Sequence, residues 1–145
     1  MPKSNLAVFA QTLKTSSAVV TEAVPLTGAG GVGSDVPQGT RLLLTAGVEG
    51  ALVTSVSVIA RGTITATSVM LFIRKRNDDA AQRRLMDMIQ LPGQTLSGTT
   101  KTFRYAFDII SQDSPLRLEA EDELYVGLTV AQSVGIAAHA AYTDF

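Results

Sequence analysis

Residues 116–130 read LRLEAEDELYVGLTV, and their alternation decides the fold class. Leu116, Leu118 and Ala120 fall on one face, while Arg117, Glu119 and Glu121 fall on the other. After an acidic turn, Leu124, Val126, Leu128 and Val130 again share one face. A period of two is the mark of strands with one side in a core and one in water. The stretch is expected to be a hairpin with a carboxylate-rich tip.

The same period recurs on both sides of it. Residues 101–110 alternate most cleanly, with Phe103, Tyr105, Phe107 and Ile109 on one face, predicting a core strand. At residues 134–144, Val134, Ile136, Ala138, Ala140 and Tyr142 oppose Gly135, Ala137, His139 and Ala141. So many small side chains imply the close approach of another sheet or chain. Upstream, residues 40–46, 51–60 and 63–76 are rich in Val, Ile, Thr and Ser, which suit a pleated surface. The third of these is apolar on both sides. Ile64, Ala66, Met70 and Phe72 share one face and Val69, Leu71 and Ile73 the other, as in a sandwich interior or a subunit interface. Residues 83–91 fit helical spacing through Leu85, Met88 and Ile89, but are expected to be a strand because their neighbours are, although Asp87 then points inward.

Eight to ten strands, hairpin-like connections and no helical stretch predict an all-β fold. The expected architecture is an antiparallel, jelly-roll-like β-sandwich with an N-terminal arm. Residues 1–39 are read as arm or strands plus a glycine-rich loop, and 40–145 as the sandwich. Within the first part, strands near 6–13 and 18–24 compete with a terminal arm ordered against a partner.

The 145 residues suit one domain that holds a core without staples. The absence of cysteine excludes disulfides and thiolate metal sites. A formal net charge of −1 gives no reason to expect nucleic acid as a partner. The start is not expected to act as a signal peptide, and no apolar run reaches the ~20 residues that span a bilayer, so no membrane is expected. Charge is segregated along the chain. Residues 61–104 carry eight Lys/Arg against three Asp, and residues 105–145 one Arg against seven acids. The two segments either interleave on one surface or form patches that meet between copies.

No chemical motif stands out. Gly28, Gly30 and Gly33 match the spacing G-x-G-x-x-G, but SDVPQG follows and cannot build the helix a dinucleotide site needs. The loop reading is therefore preferred. His139 is the sole histidine and its strand neighbours are alanines, so a packed side chain is expected rather than a catalytic one. Arg74, Lys75 and Arg76 open a charged hairpin tip without aromatic interleaving. Glu119, Glu121, Asp122 and Glu123, with Asp113, offer oxygens for calcium but lack the ligand-loop pattern, and a solvated turn is the plainer alternative. The chain is expected not to be an enzyme. No catalytic, cofactor-binding or metal-binding residue is assigned, and no cofactor is expected.

LEAEDELYVGLTV resembles the strand-turn-strand of trimeric jelly-roll modules, including tumour-necrosis-factor-like and complement-like domains. The Thr/Ala/Val-rich strands, with LLLTAGVEGALVTSVSVIARGTITATSVMLFIRK as their centre, are similar to small β-sandwich virion proteins of tailed bacteriophages. In particular, the chain resembles head decoration, or cement, proteins. The resemblance covers residues 40–145 and carries over no functional residue. It implies a homo-oligomer, expected to be a trimer, that binds the major capsid protein or other virion subunits and reinforces the capsid. It also implies a virion location after synthesis in the host cytoplasm. A receptor- or glycan-binding module of a phage tail or head fibre is the alternative.

Overall fold

The computed structural model describes residues 13–145. The strand expected near residues 6–13 therefore lies almost entirely outside the described residues. Nine strands follow: β1 (Leu13–Val20), β2 (Arg41–Thr45), β3 (Ala51–Ala60), β4 (Thr67–Arg74), β5 (Arg84–Leu91), β6 (Arg104–Ala106), β7 (Leu116–Leu118), β8 (Glu123–Leu128) and β9 (Ile136–Asp144). One sheet runs β1-β9-β3-β6 with β7 also on β3, and the other runs β2-β8-β4-β5. Every strand pair is antiparallel. The pairing is nested: β1 with β9, β2 with β8, β3 with β6 and β7, and β4 with β5. A long two-stranded ribbon folded back on itself and wound into two sheets has this order, which is that of a jelly roll. The all-β sandwich expected from alternation is the fold observed.

The inward faces of β8 and β9 follow the predicted phases. Val53, Val56 and Val58 of β3, Val69 and Leu71 of β4, Leu124, Val126 and Leu128 of β8, and Ile136, Ala138 and Ala140 of β9 form one buried cluster. Alanines at 138 and 140 keep the sheets close at the centre of that cluster. Ser16 on β1 donates its hydroxyl to the Leu43 carbonyl on β2, tying the two sheets at one side. β1 is thus the edge strand of a sheet, and its residues pack as part of the sandwich. At the other end of the chain, the Phe145 amide donates to the Gly50 carbonyl.

Two local expectations are corrected. First, residues 116–130 are not a hairpin. β7 pairs with β3 in one sheet, with Leu118 opposite Ala51, whereas β8 pairs with β2 and β4 in the other. The acidic turn is a corner between sheets, and among the described strands β4 and β5 alone are both consecutive and paired. Alternation reports which side of a strand is buried and not which strand lies beside it.

Second, the aromatic run at 101–110 forms a strand over Arg104–Ala106 only. Phe107 is buried and Tyr105 packs against the core, but Phe103 and Ile109 are 58% and 48% exposed. Ladder bonding stops because the chain turns after Phe107, whose amide donates to Val56 and whose carbonyl accepts the Ile110 amide. The strand expected over residues 83–91 is β5, in which Asp87 lies opposite Leu71. A bulge opposite Leu71 and Phe72 inserts one residue, and Met86 packs against the core. The Asp87 carboxylate accepts the Met88 amide.

Candidate functional site

The outward faces of the two sheets differ, and the difference defines the candidate site. On the β2-β8-β4-β5 sheet, Met70, Phe72 and Tyr125 point away from the main core and form a second buried cluster with Val24 and Val32. The cover is the glycine-rich loop that follows β1. It is anchored where the Val24 amide donates to Leu128 and where the Arg83 amide donates to Asp35. The two-sided apolarity of β4 is thereby accounted for within one chain. The Gly28, Gly30 and Gly33 spacing belongs to this cover, and no helix follows it. Gly28 and Gly30 have φ of +84° and +80°, a left-handed conformation that favours glycine.

The charged segments also meet within the chain. Arg74 pairs with Glu123 at 2.8 Å, Arg76 with Glu121 at 3.3 Å, and Lys75 reaches both Asp122 and Glu119. Asp122 is fully buried and accepts, besides Lys75, the backbone amides of Arg76 and Glu119. The Lys75 ammonium is held above the ordinary lysine range, first by its hydrogen bond to Asp122, with burial opposing and the Asp122 charge assisting. Of the two arrangements the sequence allows, segregated charge here interleaves. Glu119, Glu121, Asp122 and Glu123 each face a Lys or Arg, which makes the turn a poor host for a divalent cation. Asp113 does not join these ion pairs. The basic run 74–76 is likewise occupied by carboxylates. Arg83 stacks on the Tyr125 ring at 4.0 Å, and the Tyr125 hydroxyl donates to Glu123 at 3.0 Å.

On the β1-β9-β3 sheet no element of the described chain provides such a second apolar cluster. The strand registers place three outward rows across it: Val19–Ala137–Ile59, Ser17–His139–Ser57 and Thr15–Ala141–Ser55. This three-by-three grid contains no carboxylate, lysine or arginine. A solvated sheet face ordinarily alternates polar and charged side chains outward. His139 is at the centre, between two serines, with no acid in the grid to orient it. Beside the grid, β6 brings Arg104 next to Ile59, and its guanidinium donates to the Ser57 hydroxyl at 3.0 Å. Thr15, Ser55, Ser57, Arg104, His139 and Ala141 line a hollow of about 300 Å³. Sequence reading singled out His139 and missed Arg104 and Ser57. Serine at an outward strand position is unremarkable until the register puts a guanidinium over it.

The fold and this face define an antiparallel β-sandwich protein of jelly-roll order, with one sheet face covered by its own loop. No family model matches the sequence, and no curated protein matches it. Among solved structures, one described as the structure of Eiger TNF from S. frugiperda is similar over 93% of this chain and 94% of that chain, at 13% identity and a TM-score of 0.45. Among the described residues no helix is long and apolar enough to cross a membrane.

Proposed function

We propose that this chain is a structural assembly protein. Its exposed β1-β9-β3 face packs against a second copy, and the oligomer adheres to a virion shell and reinforces it, as a decoration protein does. The observation that carries the reading is the grid of uncharged side chains on a sheet face that the other described residues leave open. A different surface of the neighbouring copy meets that face, as a trimer requires, and finds no charged row to oppose it, because His139 is the one titratable side chain in the grid. Burial of apolar area would supply the adhesion, and the Arg104 margin would set register. The absence of an acid beside His139 in the grid supports a non-catalytic role. The resemblance in sequence style to cement proteins supports the virion setting, and a trimer is the expected assembly.

Light scattering across dilution tests self-association. The protein is expected to run as an oligomer, and Ala141→Arg is expected to yield a monomer with an unchanged circular dichroism spectrum. A wild-type monomer at every concentration overturns self-association in solution. Co-sedimentation with capsid shells stripped of their decoration tests the second half of the reading.

The alternative, a receptor- or glycan-binding module, is supported by one feature. Because β6 starts only at Arg104, the preceding loop ends on Phe103, which is 58% exposed with Leu96 at 53%. Loss of binding to host cells on Phe103→Ala, with oligomeric state unchanged, would favour that reading.

A further inference from the structure

We propose that the hollow between Arg104 and His139 is an acceptor site for the carboxylate of an aspartate or glutamate side chain on a partner protein. The inference deepens the assembly reading by naming the chemistry that a lattice partner presents. It rests on that reading only in taking the partner to be a protein.

The hollow is cationic and contains no internal counter-charge. Arg74, Lys75, Arg76, Arg84 and Lys14 are each paired with a carboxylate. Arg104, like Arg41, Arg61, Arg83, Lys101 and Arg117, is in no ion pair among the described residues, and its described side-chain hydrogen bond is to the Ser57 hydroxyl. Ser57 is itself 8% exposed although it lies on an outward row. A nearly buried hydroxyl that engages one guanidinium nitrogen limits how the group can turn. The bond uses Nη1, and the other guanidinium donors remain for a bidentate oxyanion contact.

The surroundings fit a carboxylate. The small side chains of Ser55, Ala141 and Thr15 leave the space open, and the hydroxyls of Thr15, Ser55 and Ser57 add donors. His139 contributes one ring N–H when neutral and two when protonated. No lining residue is acidic, so nothing in the hollow competes for the guanidinium. A copy of the grid face has no acid to offer either, so the carboxylate belongs to a different surface. The volume, at the lower end of small-molecule pockets, suits a side-chain tip better than a whole ligand. An aromatic platform for a sugar ring is missing from the lining.

His139 supplies its own reporter, since its ring-proton NMR signals are the only histidine signals of the chain. The probe is glutamate blocked at both ends as its N-acetyl, α-methylamide derivative. Its titration is expected to shift those signals saturably in the millimolar range, while blocked glutamine and sodium chloride at matched ionic strength do not. Arg104→Gln, at an exposed position, is expected to weaken the response tenfold or more with the spectrum otherwise folded. An equal response in Arg104→Gln, an equal response to chloride, or no response at all overturns the site. Tighter binding of glucuronate than of blocked glutamate overturns the protein-side-chain assignment in favour of an acidic sugar. Light scattering reads self-association separately, so failure of this site and failure of the assembly reading are distinguishable.

Discussion

A β-carbon built on Gly127 would lie 2.6 Å from Cγ2 of Val24, and 3.3 Å from Cε2 of Phe72. The glycine in β8 is the seat on which the loop after β1 rests. Gly127→Ala forces either Val24 or the β8 backbone to move. The expected cost is about 1–3 kcal/mol, as for other overpacked interiors. Chemical denaturation measures it. The companion Val24→Ala is expected to relieve part of that cost in the double variant, because the two side chains compete for one space.

Asp122 organises the corner between sheets. Its carboxylate accepts the amides of Arg76 at 3.0 Å and Glu119 at 2.9 Å and is fully buried. Asp122→Ala leaves both amides without that acceptor and is expected to cost about 2–4 kcal/mol. Urea unfolding reads the loss. Glu121→Ala, which removes an exposed partner of Arg76, is expected to change stability by less than about 1 kcal/mol.

Lys75 makes the alkaline limb of stability informative. Its ammonium is raised above the ordinary lysine value, chiefly by the hydrogen bond to Asp122. A group with a raised folded-state value binds its proton more tightly when folded. Its contribution is therefore present below the unfolded value, about 10.4, and is lost as pH rises through the folded value. The thermal midpoint is expected to fall above about pH 10. Lys75→Met is expected to lower it near neutrality and to flatten that fall. The ammonium is partly exposed, which keeps the effect modest.

Gln132 clamps the turn before β9 onto the chain between β3 and β4. It is 5% exposed, accepts the Thr65 amide at 3.2 Å, and donates to the Thr65 carbonyl at 3.1 Å. Gln132→Leu removes all of these contacts and leaves the Thr65 groups to find other partners. The expected loss is about 1–3 kcal/mol. Hydrogen exchange at the Thr65 amide is expected to accelerate more than at Val56 in the core.

The strands and their buried sides were legible in the sequence. Period-two alternation at residues 124–128 and 136–142 named inward residues that are inward, because neighbouring side chains of a strand must point to opposite faces. The alternation could not say which strands lie side by side. Leu118 and Leu124, six residues apart, serve different sheets, and nothing local distinguishes that corner from a hairpin tip. It also could not say what covers a second apolar face. Met70 and Phe72 look like an interface until Val24 and Val32 are found on top of them.

The candidate site divides along the same line. Its central residue, His139, was conspicuous as the sole histidine of an alanine-rich strand, a property of order along the chain. Ser57 and Arg104 are 47 residues apart, and register between β3 and β6 alone brings them together. The sequence by itself determined an all-β sandwich and its inward faces, since hydrophobic period and turn chemistry act over a few residues. The tertiary structure decided the nested strand order, the pairing of opposite charges within one chain, and which sheet face the glycine-rich loop covers. Those depend on long-range pairing, where energy is set by partners that local sequence does not name.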